Sequence, residues 1–130
     1  MFNELKTLTV QQAKQISPVT LAFVGDAVYS LYVREKVVTC HDLKPNELQK
    51  LTTREVSAHG QSGLLEKIEC KFNQDEIEIY HRGRNAKKTT KSKNASVAEY
   101  NRSTGFEAVL GFLYLTGQRE RISYLIEDEK

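Results

Sequence analysis

The sequence predicts an all-α protein, because helix signals recur along it while strand signals do not. No sustained alternation of apolar and polar residues bounded by Asn-Gly or Asp-Gly turns is present. Apolar residues instead recur at three- and four-residue spacing, which is typical of helices with one buried face. The 130 residues fit one domain, so residues 1–130 are expected to form a single helical bundle.

Two prolines predict where the first long helices begin. Ser17 is a favoured capping residue directly before Pro18, and the apolar spacing that follows predicts a helix to about Val38. Pro45 is expected to open a second helix, which continues to Val56.

A capping box and two glycines predict the next boundaries. The segment of residues 57–69 is expected to be interrupted or ended by Gly60 and Gly63. Asn73 and Glu76 have the spacing of a capping box, in which each side chain binds the other residue's backbone N–H, so a helix should begin there.

The remaining boundaries follow from the same kinds of signal. Gly83 is expected to stop the helix that Asn73 opens. Ser96 and Glu99 form a second capping box, which opens an apolar helix that Gly117 should close. A last helix is predicted over residues 119–127.

A basic segment separates these two capped helices. The net charge of the chain is only +2, yet residues 82–102 carry seven lysines and arginines against one acid, Glu99. Residues 84–95 show no apolar period and are predicted to form a loop. Basic segments often contact phosphates, although a solvated loop is the alternative interpretation.

Other function classes find little support in the sequence. No apolar run approaches the roughly eighteen residues of a membrane span, and the first residues lack a signal-peptide pattern, so a cytoplasmic protein without a membrane partner is expected. Neither Cys40 and Cys70 nor the histidines His41, His59 and His81 have the spacing of a disulfide framework or a zinc site.

Asp26 is the first candidate catalytic residue. It lies within an otherwise apolar run, residues 21–29, where burying a charge costs several kcal/mol unless the charge is paired. The preceding Gly25 weakens a helix by about 1 kcal/mol but lets another backbone or a ligand approach closely. Either a functional site or a carboxylate on the polar stripe of an amphipathic helix fits this pattern.

Glu107 is the second candidate, because it too interrupts an apolar run, residues 104–115. If two buried helices bring Asp26 and Glu107 together, a hard divalent ion such as Mg²⁺ is the natural ligand, since it prefers oxygen donors. The alternative is that Glu107 pairs with one of the many basic residues.

These two segments resemble the endonuclease domain of the ribonuclease III family. Residues 23–28, Phe-Val-Gly-Asp-Ala-Val, are similar to its signature helix, and residues 106–111, Phe-Glu-Ala-Val-Leu-Gly, are similar to its second catalytic helix. The short chain and residues 82–87, Arg-Gly-Arg-Asn-Ala-Lys, resemble the compact branch called Mini-ribonuclease III. The resemblance covers residues 19–115 and implies an all-α, ribonuclease III-like, homodimeric bundle.

The resemblance implies a metal-dependent endoribonuclease that cuts double-stranded RNA to give 5′-phosphate products. Asp26 and Glu107 are then the catalytic residues and the ligands of Mg²⁺, with Mn²⁺ as a substitute. The larger family has further carboxylates at the positions that Ala22, Val19 and Thr104 occupy here. The metal site is therefore expected to have fewer acidic ligands. The hydroxyl of Thr104 is a candidate to contact a water bound to the metal.

The expected partners are duplex RNA and a second copy of the chain. A homodimer supplies one active site for each strand, and Phe23, Val24 and Val28 are the expected interface residues. No double-stranded-RNA-binding domain follows the last predicted helix, so the catalytic domain itself is expected to bind the duplex. The RNA-binding candidates are Arg82, Arg84, Asn85, Lys87, Lys88, Lys91 and Lys93.

The implied substrate is the precursor of large-subunit ribosomal RNA, and assistance from a ribosomal protein is left open. One alternative is a non-catalytic RNA-binding dimer of the same fold that associates with the ribosome, which Ala22 and Thr104 favour. A more distant alternative is a helical protein-interaction module with a merely solvated basic loop. Retention of both Asp26 and Glu107 favours the enzyme, because carboxylates facing phosphates would weaken RNA binding.

Overall fold

The computed structural model of the chain describes residues 6–87 and 96–127, and within these ranges it contains helices and no strands. A short 3-10 turn, Glu69–Lys71, connects the fourth and fifth helices. The α-helices are α1 (Val10–Lys14), α2 (Pro18–Cys40), α3 (Pro45–Val56), α4 (Ala58–Ile68), α5 (Gln74–Asn85), α6 (Val97–Leu115) and α7 (Arg119–Ile126). The predicted all-α class is confirmed.

Both predicted capping boxes form. The side chain of Asn73 accepts a hydrogen bond from the N–H of Glu76, and the Glu76 carboxylate accepts one from the N–H of Asn73, both at 2.9 Å. Ser96 and Glu99 pair in the same way at the start of α6, at 3.1 and 3.5 Å. These contacts satisfy backbone donors that the first turn of a helix leaves without partners.

The expectation for Gly60 and Gly63 is wrong, because both residues lie inside α4. A Cβ atom at Gly60 would lie 2.3 Å from the backbone carbonyl oxygen of Arg54, whereas a Cβ at Gly63 would meet nothing within 4 Å. Gly60 therefore serves the close approach of α3 to α4, which a local pattern does not reveal. Neither glycine ends the helix.

The expectation for Gly83 is also wrong, since α5 continues to Asn85. A Cβ atom at Gly83 would lie 2.8 Å from the Cα of Gly105, so this glycine lets α5 pack closely on α6. Gly117 does close α6, and its φ of 73° is the left-handed conformation that favours glycine. The first residues of the predicted loop thus belong to α5, while residues 88–95 lie outside the described ranges.

Helix α6 is the central element of the bundle. It packs most extensively against α2 and α5 and also contacts α4 and α7. Phe106 and Leu110 on α6 are fully buried, and the Phe106 ring meets Tyr29 of α2 edge-on at 5.2 Å. Side chains on the partly buried face of α6 are therefore positioned by several helices at once.

A buried ion pair joins α5 to α7 away from this crossing. Glu76 has no exposed surface, and Arg121 donates to its two carboxylate oxygens at 2.8 Å each. Arg121 also donates to the carbonyl of Lys71 at 2.6 Å. Two-point contact of this kind satisfies a carboxylate that would be costly to bury alone.

In the described ranges, every helix is too short or too polar to cross a membrane.

Candidate active site

Helices α2 and α6 cross with their backbones in direct contact. A Cβ atom at Gly25 would lie 1.7 Å from the carbonyl oxygen of Glu107, and one at Gly111 would lie 1.9 Å from the carbonyl oxygen of Leu21. No side chain larger than hydrogen fits at either position. As the sequence suggested, Gly25 permits close approach, and the backbone it admits is that of Glu107, beside Asp26.

The carboxylates of Asp26 and Glu107 converge at this crossing. The pKa of Glu107 is raised from 4.5 to about 8, chiefly because burial penalises the charged form. A hydrogen bond from Gln61 lowers this pKa, whereas the negative charge of Asp26 and a hydrogen bond with it raise it. Two carboxyl groups that interact in this way compete for a proton or share a cation.

Asp26 lies within an apolar run, yet its side chain is exposed. Helix α2 is apolar on several faces, yet only some of them meet the core, and the face that carries Asp26 borders an open groove. Glu107, by contrast, is half-buried. One carboxylate therefore faces solvent while the other lies deeper in the bundle.

Gln61 is a site residue that the sequence analysis missed. It is 1% exposed, and its Nε2 donates to Oε2 of Glu107 at 2.9 Å. A single glutamine between two glycines of a short helix belongs to no motif, so only the fold could connect it to a residue 46 positions away. Its partners include no charged group other than Glu107.

The alternative in which Glu107 pairs with a basic residue finds no support. Within the described ranges Glu107 takes part in none of the ion pairs, and its neighbours are Gln61 and Asp26. Thr104 is nearly buried, and its hydroxyl donates to the carbonyl of Tyr100 at 3.1 Å. Contact between Thr104 and a metal-bound water stays a prediction.

The donor set fits a hard divalent cation. Mg²⁺ takes oxygen ligands, keeps several waters and is commonly held by one or two carboxylates. A doubly positive ion would also offset the repulsion and the burial that raise the pKa of Glu107. Nowhere in residues 6–87 and 96–127 do three or more His, Cys, Asp or Glu side chains gather into a metal-binding group. The assignment of Asp26 and Glu107 as metal ligands stays a prediction.

The end of α5 carries the described part of the basic segment. Arg82 donates to the carbonyls of Lys14 and Ile16 at 3.1 and 3.4 Å, which ties α5 to the end of α1. Arg84 lies over the ring of Tyr80, 5.7 Å from its centroid. The two arginines thus differ in their contacts, because Arg82 binds backbone carbonyls and Arg84 lies over a ring.

Two of the remaining RNA-binding candidates, Asn85 and Lys87, lie among the described residues. Asn85 and Lys87 are exposed, and the Asn85 side chain accepts a hydrogen bond from Arg84 at 3.4 Å. The predictions for Lys88, Lys91 and Lys93 fall outside the described residues.

An apolar groove of about 640 Å³ lies beside the site. Phe23 is 80% exposed there and Val24 and Val28 are half-buried, so the three predicted interface residues share one surface. The groove is lined by Phe23, Val24, Asp26, Ala27, Val28, Leu31, Tyr114 and Arg119. The homodimer itself stays a prediction.

Comparison with known proteins supports the family resemblance. The family described as Ribonuclease III domain matches residues 19–118. Mini-ribonuclease 3 of Clostridium tetani is 40% identical over 120 residues, covering 92% of this chain and 80% of the relative. The Mini-ribonuclease 3 proteins of Enterococcus faecalis and Streptococcus pneumoniae are 43% and 45% identical, covering 87% and 85% of this chain and 87% and 88% of the relatives.

A solved structure agrees with these sequence relatives. The crystal structure of a protein from Fusobacterium nucleatum superposes with a TM-score of 0.76 at 30% identity, covering 85% of this chain and 88% of that one. Motifs, fold and relatives therefore all identify the chain as a member of the ribonuclease III family of endoribonucleases, in the Mini-ribonuclease III branch.

Proposed function

We propose that this endoribonuclease depends on a divalent metal, cleaves double-stranded RNA and uses Asp26 and Glu107 as its catalytic residues. The observation that supports this most directly is the convergence of the two carboxylates, with the pKa of Glu107 raised to about 8. Strongly shifted pKa values next to a second acid are characteristic of functional sites. The 130 residues act as one catalytic domain in the cytoplasm.

Asp26 and Glu107 hold Mg²⁺ in this proposal, and Mn²⁺ substitutes for it. A bound divalent cation supplies an acidified water and polarises the scissile phosphate. The protein's own part is to present both carboxylates on the rigid crossing of α2 and α6 and to give up the proton that Glu107 otherwise retains. Hydrolysis of the bond between phosphorus and O3′ leaves a 5′ phosphate and a 3′ hydroxyl.

The proposed substrate is the precursor of large-subunit ribosomal RNA, bound through its backbone. Duplex RNA is recognised mainly by shape, phosphates and 2′-hydroxyls. Arg84, Asn85 and Lys87 at the end of α5 suit such contacts, together with the predicted Lys88, Lys91 and Lys93. Arg82 is the weakest of these candidates, because its guanidinium is bonded within the fold.

The proposed assembly is a twofold homodimer that meets at the apolar groove. Phe23 exposes four-fifths of its surface there, which is costly for an unpartnered ring. A twofold axis would place one active site at each strand of a duplex. Asp26 lines the same groove, so the site and the proposed interface adjoin.

The non-catalytic RNA-binding dimer remains the second candidate, favoured by Ala22 and Thr104 at positions where the larger family has carboxylates. Both are buried, and the Thr104 hydroxyl is bonded within its own helix. This candidate predicts that duplex RNA is bound equally well with and without Mg²⁺ and is never cut.

An Asp26→Asn variant separates the two candidates. With Mg²⁺ and duplex RNA, the wild-type protein should cut both strands, whereas Asp26→Asn should bind the duplex and leave it intact. Asp42→Asn is the matched control, since Asp42 is an exposed aspartate outside the site. Undiminished cleavage by Asp26→Asn, or the absence of cleavage by the wild type with either metal, would overturn the proposal.

A further inference from the structure

The geometry points to Gln61 as a positioning residue that fixes the carboxylate of Glu107 for binding the cation, an inference that rests on the proposed function. The two residues lie on different helices and meet through one hydrogen bond, Nε2 to Oε2 at 2.9 Å. Nothing in the family motifs of the sequence pointed to this contact.

Every polar atom of the Gln61 side chain has a partner inside the protein. Nε2 donates to the carbonyl oxygen of Val56 at 3.0 Å as well as to Glu107, while Oε1 accepts from the hydroxyl of Ser103 at 2.7 Å. The side chain is 1% exposed, so water does not compete for these bonds. A fully satisfied buried amide has essentially one orientation.

The partners also determine which way the amide points. A backbone carbonyl can only accept, so the atom that faces Val56 must be the nitrogen. The second N–H of that nitrogen then faces Oε2 of Glu107, which accepts its hydrogen bond. The hydrogen-bond partners therefore distinguish the amide nitrogen of Gln61 from its oxygen.

Three helices hold this amide in place. Val56 ends α3, Gln61 belongs to α4, and Ser103 lies one turn before Glu107 on α6. Gly60 lets the end of α3 approach α4, because a Cβ there would lie 2.7 Å from the carbonyl oxygen of Glu55. The glycine that failed to end a helix therefore helps to bring the Val56 carbonyl to Gln61.

A neutral donor is the kind of partner that a cation site needs here. The terminal torsion of a glutamate side chain is broad, so a hydrogen bond is required to choose one orientation of the carboxylate. A lysine or arginine would also orient it, but its positive charge would compete with the metal. Gln61 orients Glu107 and leaves its negative charge available, as residues behind metal ligands commonly do.

The test measures metal binding separately from catalysis. Free Mn²⁺ is quantified by electron paramagnetic resonance while it is titrated into wild-type protein and the variants Gln61→Met, Asp26→Asn and Gln49→Met. Methionine keeps the length of glutamine and removes its hydrogen bonds, and Gln49 on the exposed surface of α3 is the matched control. Binding of uncut duplex RNA without metal and the melting temperature are recorded for each protein.

We expect Gln61→Met to bind Mn²⁺ about tenfold more weakly or worse, as removal of such supporting contacts typically does. Metal-free RNA affinity should stay within about twofold of wild type, and Gln49→Met should match wild type in both assays. A folded Gln61→Met protein with wild-type Mn²⁺ affinity overturns the inference, because a merely structural role would lower only the melting temperature.

Two further outcomes keep the test decisive. If Gln61→Met does not fold, Ser103→Ala removes the partner of Oε1 alone. A measurable loss of Mn²⁺ affinity in Ser103→Ala supports the inference, and wild-type affinity overturns it. If the wild-type protein binds no Mn²⁺, or Asp26→Asn binds it equally well, the proposed metal site fails and the inference fails with it.

Discussion

Helix α6 meets its two main neighbours, α2 and α5, through two pairs of glycines, and each pair positions different candidate functional residues. At the α2 crossing, Gly25 and Gly111 bring backbones so close that an added Cβ would lie 1.7 or 1.9 Å from a carbonyl oxygen. At the α5 crossing, a Cβ added at Gly83 or Gly105 would lie 2.8 or 2.7 Å from the nearest atom. The first crossing is therefore tighter by almost an ångström.

The difference matches what each crossing positions. The tight one holds the carboxylates of Asp26 and Glu107, whose distances decide whether one ion can contact both. The looser one positions the end of α5, where Arg84 follows Gly83 directly. Contacts with phosphates tolerate small displacements better than metal coordination does, because long basic side chains can adjust.

The largest effect is expected from Gly25→Ala at the tight crossing. The new methyl group collides with backbone atoms, so α2 and α6 must separate, and such overpacking costs about 3 kcal/mol or more. For a chain of this size, that lowers the melting temperature by about 10 °C or more. Calorimetry measures the shift, and Mn²⁺ binding should be lost with it.

Gly63→Ala is the matched control for this substitution. Gly63 also lies inside a helix, but nothing lies within 4 Å of an added Cβ. Alanine should therefore stabilise the protein by about 0.5–1 kcal/mol. Equal melting temperatures for the two variants would show that backbone contact at Gly25 does not matter.

The next effect is a pH dependence that belongs to the α2 crossing. The pKa of Glu107 is about 8 in the folded protein, whereas that of an ordinary glutamate is 4.5. Between these two pH values, the metal-free folded protein therefore binds a proton that the unfolded chain releases. Its stability should fall as the pH rises from about 4.5 to 8. Binding of Mn²⁺ displaces this proton, so affinity should rise by up to about tenfold per pH unit below 8.

Titration of Mn²⁺ between pH 5.5 and 8 measures the second trend, and thermal unfolding without metal measures the first. Glu107→Gln carries no titrating proton and should flatten the stability trend. A wild-type Mn²⁺ affinity that stays constant over this range would contradict the shifted pKa.

A smaller effect is expected from Gly83→Ala at the looser crossing. The added Cβ meets the Cα of Gly105 at 2.8 Å and the Cβ of Ala108 at 3.1 Å, so a modest shift of α5 relieves it. We expect a cost of about 1–2 kcal/mol. Affinity for duplex RNA should fall more than affinity for Mn²⁺, which fluorescence anisotropy and metal titration compare. A loss of metal binding as large as that of Gly25→Ala would erase the distinction between the crossings.

The smallest effects separate the two arginines that flank Gly83. Arg84→Met should weaken binding of duplex RNA and reduce the slope of log affinity against log salt by about 1, as loss of one phosphate contact does. Arg82→Met should leave that slope unchanged and lower stability by about 1 kcal/mol, because its hydrogen bonds to Lys14 and Ile16 are lost. Fluorescence anisotropy in metal-free buffer from about 50 to 200 mM salt measures the salt dependence of RNA affinity. Identical slopes for Arg84→Met and wild type would remove Arg84 from the RNA-binding surface.

The features that sequence predicted well are those determined by near neighbours. The capping boxes Asn73–Glu76 and Ser96–Glu99 depend on residues three apart, so the pattern and the contact coincide. The pairing of Asp26 with Glu107 spans 81 positions and was reached through a family resemblance, not through local spacing. Residue types alone left a surface carboxylate as an equal interpretation.

The features that sequence predicted poorly depend on which surfaces meet in the fold. Gly60 and Gly83 weaken helices locally, and only the packing partners reveal that they permit close approach. The exposure of Asp26 was left open, because only the fold shows that its apolar neighbours line an open groove. Gln61 carries no local signal, since its role depends on Glu107 of another helix.

Asp26 belongs to two surfaces at once, the wall of the apolar groove and the acidic pair. Whatever covers the groove changes the solvation of this carboxylate and hence its affinity for a cation. Thermodynamic reciprocity then requires the cation to change the affinity of the covering partner by the same factor. For a chain that pairs with its own copy, the cation requirement would shift with protein concentration, so dilution and chelation would act on a single equilibrium.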